Sequence, residues 1–310
     1  MGVYVLKRLF ISIPLLVVIS FLTFVLVSFS PLDPAELVLQ AQDVPVITDE
    51  LIQQTNEELG LNDHFFVRYA NWLVACLQLD FGESYVKGEP VWSLIGPAFW
   101  NTLKLTLVSS VVIISLSISL GVLCALKAGS ALDQFIRGVL FFFTAVPAYW
   151  LAAMLIWYVS VKLDLLPTSG MDSYQSYILP VSVISVSYIG LYFRNVRSSM
   201  LNQLNKEYVL YGRASGLKEK KITMHVLRNS LQVAISIFCM AIPIILGGTV
   251  VIENVFAWPG LGSLSVEAIL SRDFPVIQAY VLLIAVSFVL FNMVSDVLQA
   301  ALNPRVRAGR

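Results

Sequence analysis

The sequence predicts an all-α integral membrane protein with six transmembrane helices and both termini in the cytoplasm. Three observations lead there. Hydrophobic residues fill 57% of the 310 positions and charged ones only 13%, against roughly 45–50% and about 25% in soluble domains. Charge-free runs of at least 21 residues cover Leu9–Leu32, Leu105–Leu126, Gly138–Val161, Ser173–Phe193, Asn229–Ile252 and Phe274–Ser295, each long enough to cross a bilayer as a helix. With Met1 inside, 15 of the 20 Lys and Arg residues fall on the cytoplasmic side, as the positive-inside rule requires. The net charge of zero hides that asymmetry.

The first run, inside "MGVYVLKRLFISIPLLVVISFLTFVLVSFS", is longer than a signal-peptide core and lacks a small-x-small cleavage site, so it reads as a retained span. An external segment follows over residues 30–101. Within it "TDELIQQTNEELG" (Thr48–Gly60) carries an N-cap threonine, early acids and a closing glycine, the marks of a short helix. "HFFVRYANWLVACLQL" reads as an amphipathic helix on the membrane surface or against the spans. Pro147, Pro180 and Pro243 fall inside spans three, four and five. Each removes a backbone hydrogen bond and invites a kink.

The stretch from Lys206 to Lys221 holds seven charged residues. At about 2.5–3.5 kcal/mol apiece near a bilayer centre it cannot span, so residues 194–229 form a cytoplasmic loop. Tyr208, Tyr211, Ala214 and Leu217 recur every three positions and put a moderately apolar stripe on a short helix. Gly216 marks its end or a bend. Such a helix either folds back on other cytoplasmic ends or docks another protein.

The third external loop, "IENVFAWPGLGSLSVEAILSRDFP", breaks at Trp258-Pro259-Gly260, and "SLSVEAIL" forms a short helix after it. Glu253 stands at the outer end of span five. Asp296, an acid close to the cytoplasmic end of span six, is most simply a helix-to-helix tie to Arg194 or Arg197. Cys76, Cys124 and Cys239 show neither metal nor disulfide spacing and read as small buried hydrophobes. The sequence carries no phosphate-binding loop, no His-rich ligand set and no hydrolase signature, which argues against an enzyme.

"YGRASGL" followed by "HVLRN" resembles the cytoplasmic coupling loop, the EAA loop, of permease subunits of ATP-binding-cassette importers. Ala214, Ser215 and Gly216 fall on its small-small-Gly positions, although the literal Glu-Ala-Ala is absent. "NDHFFVRYANWL", "LDFGESY", "PAFWNTLKLTL", "ENVFAWPGLG", "RDFPVIQAYVL" and "ALNPRVR" resemble, in the same order, the dipeptide, oligopeptide and nickel branch of that family. The resemblance implies a single permease domain over residues 1–310 with the MetI-like fold of type I importers, in a bacterial inner membrane. It also implies a second permease subunit, two ATP-binding subunits, an external substrate-binding protein and no nucleic-acid partner. ATP and magnesium would sit on the partner subunits, leaving this chain without a cofactor or a catalytic role. Tyr208, Tyr211, Gly212, Arg213, Ala214, Ser215, Gly216 and Leu217 would engage an ATPase subunit. Glu253, Trp258, Pro259 and Gly260 would face the pathway or the binding protein.

"VIENVFAWPGLG", "AILSRDFPVIQ" and "HVLRNS" are most similar to nickel and opine-metallophore permeases. The expected substrate is a nickel, cobalt or zinc chelate, with dipeptides and oligopeptides as the alternative. A secondary transporter or a membrane assembly factor are readings of another class. A tightly bound ATPase separates the importer from both.

Overall fold

The computed structural model describes residues 2–29, 33–42, 44–239 and 241–302. All regular structure there is helical apart from one isolated bridge between Glu83 and Pro90. In chain order the α-helices are α1 (Gly2–Ser28), α2 (Pro34–Ala41), α3 (Asp49–Glu58), α4 (Phe65–Leu77), α5 (Val91–Leu126), α6 (Ala131–Ala145) and α7 (Ala148–Leu155). They continue with α8 (Ile178–Leu204), α9 (Glu207–Ala214), α10 (Glu219–Cys239), α11 (Ala241–Gly248), α12 (Val250–Val255), α13 (Leu261–Ser271) and α14 (Phe274–Leu302). The chain divides into two compact units. One comprises Met1–Val5, Leu103–Trp258 and Leu290–Arg310, the other Leu6–Thr102 and Pro259–Val289.

Four of these helical stretches are long and apolar enough to cross a membrane: Phe10–Ser28, Val91–Leu126, Tyr174–Leu204 and Phe274–Val297. The expected third span departs from a straight helix. Ala131–Ala145 and Ala148–Lys162 are bent by 100° at their junction and make a fifth crossing if taken as one broken span. The cause is local. Pro147 disfavours the helical region for its predecessor, and Val146 is extended, with φ −80° and ψ 126°. Pro180, by contrast, lies in the first turn of α8, where a missing N–H costs nothing, and it begins that helix rather than kinks it. The expected fifth span falls on α10, α11 and α12, with residue 240 outside the described set. Arg305, Arg307 and Arg310, which helped to orient the chain, also lie outside it.

In the unit that includes residues 103–258, α8 is the central element. Val183, Ile184, Tyr192, Val196 and Met200 on α8 share one core with Leu105 and Ile113 of α5, Val209 of α9, and Ile222 and Val226 of α10. Glycines let neighbours approach. A Cβ built on Gly121 of α5 would lie 2.8 Å from Cβ and Cγ1 of Val196. One built on Gly190 of α8 would collide with the Thr144 hydroxyl of α6. Small residues at crossings are how membrane helices gain packing, since lipid offers them no hydrophobic drive.

In the other unit, α1 meets α4 through aromatic edges. Phe21 and Phe24 lie 5.3–6.1 Å from the rings of Phe65 and Tyr69, and the Ser20 and Tyr69 hydroxyls are 2.8 Å apart. Helix α3 forms as the sequence predicts, with the Thr48 hydroxyl accepting the Leu51 N–H at 3.4 Å. A second core joins Cys76 of α4 and Phe81 to Val91 and Ile95 of α5, Leu261 and Ala268 of α13, and Val276 of α14.

Burial, with a smaller push from Asp80, raises the Cys76 thiol from an ordinary 9.0 to about 12. Only the thiolate reacts with alkylating agents. At pH 8 Cys76 should therefore be alkylated about three orders of magnitude more slowly than in the denatured chain, as peptide mass mapping would measure. The folded thiol ionises later than the unfolded one. Its contribution to stability is thus present below pH 9.0 and is lost as pH rises toward about 12. Rapid modification of Cys76 in the folded protein at pH 8 would refute its placement.

Candidate functional site

Helix α9 is a single eight-residue segment, Glu207–Ala214, with an acid in its first turn and Arg213 in its last, both favourable to the helix dipole. It ends where the sequence predicts. Gly216 has φ +74°, a left-handed conformation that glycine adopts without the Cβ penalty. The N–H of Leu217 returns to the Gly212 carbonyl at 3.1 Å, closing the helix with a Schellman turn. Arg213 then reaches over that turn to Glu219 of α10, Nε to Oε1 at 2.9 Å. At that exposure the pair orients the turn more than it stabilises it.

The face that α9 buries is not the stripe read from the sequence. Val209 and Gly212 point inward, and a Cβ on Gly212 would lie 3.5 Å from Leu217 and 3.6 Å from Ile222. Tyr208, Tyr211 and Leu217 remain exposed, as do Ala214 and Ser215. Tyr208 donates to Gln203 at 3.1 Å. Leu210, which the three-residue spacing missed, is 70% exposed and Tyr211 75%. Helix α9 is thus held by its inner face and presents Tyr208, Leu210 and Tyr211 outward.

The other candidate residues divide between the two units. Glu253 and Trp258 belong to the first. Glu253 is fully buried, accepts the Thr249 hydroxyl at 2.9 Å, and receives the Trp258 N–H on its backbone carbonyl at 2.8 Å. Trp258 is equally buried and sets its ring edge-on to Tyr177, with centroids 4.6 Å apart. Pro259 and Gly260 belong to the second unit and form the turn into α13. The Pro259 carbonyl accepts from Asn101 at 2.9 Å, and the Thr102 hydroxyl accepts the Leu261 N–H at 2.7 Å.

Two buried carboxylates escaped the sequence reading, Asp273 of the second unit and Asp133 of the first. Asp133, in the first turn of α6, is completely inaccessible. Its carboxylate accepts Nε and Nη2 of Arg197, each at 2.8 Å, and the Gly129 N–H at 3.0 Å. Arg137 adds a contact at 3.3 Å. Arg197, weighed from the sequence as a partner for Asp296, thus closes a bidentate pair on Asp133 across α6 and α8.

Known proteins match this chain in sequence over nearly its whole length. Residues 117–308 match the binding-protein-dependent transport system inner membrane component family, and residues 1–106 match the N-terminal region described for the same membrane components. The metal-staphylopine import system permease protein CntB of Staphylococcus aureus (strain NCTC 8325 / PS 47) is 57% identical over 306 residues, covering 99% of this chain and 98% of that one. The oligopeptide transport system permease protein AppB of Bacillus subtilis (strain 168) is 38% identical, covering 99% of each. Among solved structures, an inward-facing form of the MetNI methionine ABC transporter superposes with a TM-score of 0.59 at 18% identity. It covers 68% of this chain and 96% of that chain, so the fold is all-helical and MetI-like. The chain belongs to the binding-protein-dependent transport system inner membrane components, and is a multi-pass permease subunit of an ABC importer in a bacterial inner membrane.

Proposed function

We propose that this permease carries a chelated transition-metal ion, nickel, cobalt or zinc held by an opine-type metallophore, across the membrane. The observation that carries the substrate reading is the 57% identity, end to end, to a permease named for metal-staphylopine import, against 38% to one named for oligopeptides. In this reading residues 1–310 form one permease domain of six spans with both termini cytoplasmic. Residues 30–101 lie outside, and residues 194–229 form the coupling loop. A second permease subunit completes the path. An external binding protein delivers the chelate, and two ATP-binding subunits hold ATP and magnesium while this chain remains non-catalytic. Tyr208, Tyr211, Gly212, Arg213, Ala214, Ser215, Gly216 and Leu217 make the ATPase contact, a reading that the outward face of α9 supports. Glu253 and Trp258, being buried, would act by shaping the end of α12. Pro259, exposed in the turn into α13, would meet the pathway or the binding protein, and Gly260, buried there, would act by shaping that turn.

The deciding measurement is metal accumulation in the host with and without this gene, in medium supplemented with a defined opine chelate, with dipeptide uptake followed in parallel. Chelate-dependent metal uptake should vanish while dipeptide uptake persists. Unchanged metal uptake with lost dipeptide uptake would overturn the chelate and make the substrate a peptide.

A further inference from the structure

Asp133 is a fully buried carboxylate that accepts two hydrogen bonds from Arg197 and one from the Gly129 N–H. A buried ion pair is rarely more stabilising than apolar packing of the same shape. What a bidentate pair adds is direction, because two parallel N–H···O bonds fix the rotation of one partner about the other. The surroundings make this rotation consequential. Arg197 lies near the end of α8, seven positions before Leu204, where α8 gives way to α9. Val209 of α9 shares its core with Ile222 and Val226 of α10, and α10 packs along α8, so a displacement of α9 acts on α8 through α10.

Helix α6 is gripped by α8 at two levels, through Asp133 on Arg197 and through Thr144 against Gly190. Directly after Ala145 comes the 100° bend into α7. Helix α5 leans on the same turn of α8, with the Gly121 position 3.3 Å from the Arg197 backbone nitrogen when a Cβ is built there.

We propose that the Asp133–Arg197 pair is the joint through which displacement of α9 reaches the bent α6–α7 element, which makes Asp133 a positioning residue of the transport cycle. This rests on the reading of α9 as the ATPase-docking helix. In the intact importer α6 and α8 then move as one body when nucleotide closes the ATPase subunits. Without the charge on Asp133, α8 moves and α6 lags.

The test uses the complete importer, permease pair, ATPase subunits and binding protein, with the cysteines of this chain replaced by alanine. Spin labels are placed on exposed positions of α6 and α8, Phe135→Cys and Leu191→Cys. Distances are compared without nucleotide and with ATP trapped by vanadate. With Asp133 present, the α6–α8 distance should be the same in both states. With Asp133→Asn it should change by more than about 2 Å on trapping, the size of helix shifts that switch interfaces. Asp133→Glu should restore the unchanged distance.

A static staple would behave otherwise. If Asp133→Asn leaves the distance unaltered by trapping, or alters it equally in both states, the joint is refuted. It is refuted equally if Asp133→Asn fails to assemble with the ATPase subunits while Asp133→Glu assembles, for the pair then serves folding alone. The docking reading has its own control. Leu210→Asp with Tyr211→Asp should release the ATPase subunits, and their retention would refute docking through α9 whatever the labels report.

Discussion

Replacing Gly121 by valine should remove most of the folded permease from the membrane. The built Cβ lies 2.8 Å from two carbons of Val196 and 3.3 Å from the backbone nitrogen of Arg197, well inside the optimal separation of about 3.5–4.0 Å. Neither neighbour can yield. Val196 is 1% exposed, and a β-branched side chain in a helix has essentially one χ1 rotamer. The Arg197 nitrogen moves only if α8 moves. Alanine at Gly121 already demands a shift of helix against helix, at a cost of about 1–3 kcal/mol. Valine adds two methyl groups to the same contact and exceeds that, a loss sufficient to cut steady-state abundance several-fold. Immunoblots of membrane fractions and the unfolding temperature in detergent should rank wild type above Gly121→Ala, and Gly121→Ala above Gly121→Val. Gly138 of α6 provides the contrast. A Cβ there meets nothing within 4 Å, and alanine should be neutral or, by helix propensity, stabilising by up to about 1 kcal/mol. Gly121→Val at wild-type abundance and unfolding temperature would refute the close crossing of α5 and α8.

How far the sequence carries this architecture depends on the range of the interaction. Local chemistry was legible. Thr48 caps α3, Gly216 closes α9, the Trp258-Pro259-Gly260 break separates α12 from α13, and "SLSVEAIL" is helical. The exposed face of α9 was also legible in outline, because seven charges between Lys206 and Lys221 exclude a span and the tyrosines between them need a partner. Its inner face was not. Val209 and Gly212 are one side of a helix only two turns long, too short for a periodicity to register. The bend at Val146 was suggested by Pro147, but its 100° amplitude depends on what α6 and α7 each pack against. The Asp133–Arg197 pair joins residues 64 positions apart, and no spacing rule links them. A usable signal was present, since an acid in the first turn of an apolar helix calls for an identified cation. Asp133 lies outside the charge-free run that begins at Gly138, so its place in the helix is not marked by that run.

Asp273 to alanine should free the turn between Phe81 and Val91. Asp273 sits between α13 and α14 and is 3% exposed. One carboxylate oxygen accepts a short hydrogen bond from the Ser84 hydroxyl, and the other accepts the Tyr85 N–H at 3.1 Å. The turn is otherwise held by its own backbone, Ser84 N–H to the Glu89 carbonyl and Val91 N–H to the Gly82 carbonyl, each 2.9 Å. A surface ion pair of 3.2 Å from Lys87 to Glu267 adds little. No backbone bond of the turn substitutes for the Asp273 carboxylate, so alanine leaves the Ser84 hydroxyl, 2% exposed, accepting from the Lys87 N–H at 2.9 Å but with no acceptor for its own proton, and it releases the Tyr85 amide. Bonds to a charged acceptor contribute about 1.5–3 kcal/mol each. Their loss should raise the population of the open turn tenfold or more, at about 1.4 kcal/mol per factor of ten. Hydrogen exchange of a peptide covering residues 82–90 and tryptic cleavage after the partly exposed Lys87 both report that opening. Asparagine keeps an acceptor but loses the charge and should fall between wild type and alanine. Ser84→Ala removes the bond to Asp273 and the one its hydroxyl accepts from the Lys87 N–H at 2.9 Å, but only the first involves the charge and Tyr85 stays tied, so its effect should be smaller than that of Asp273→Ala. Equal protection at residues 82–90 in wild type and Asp273→Ala would mean that the backbone pairs alone hold the turn, and that the carboxylate is there for another purpose.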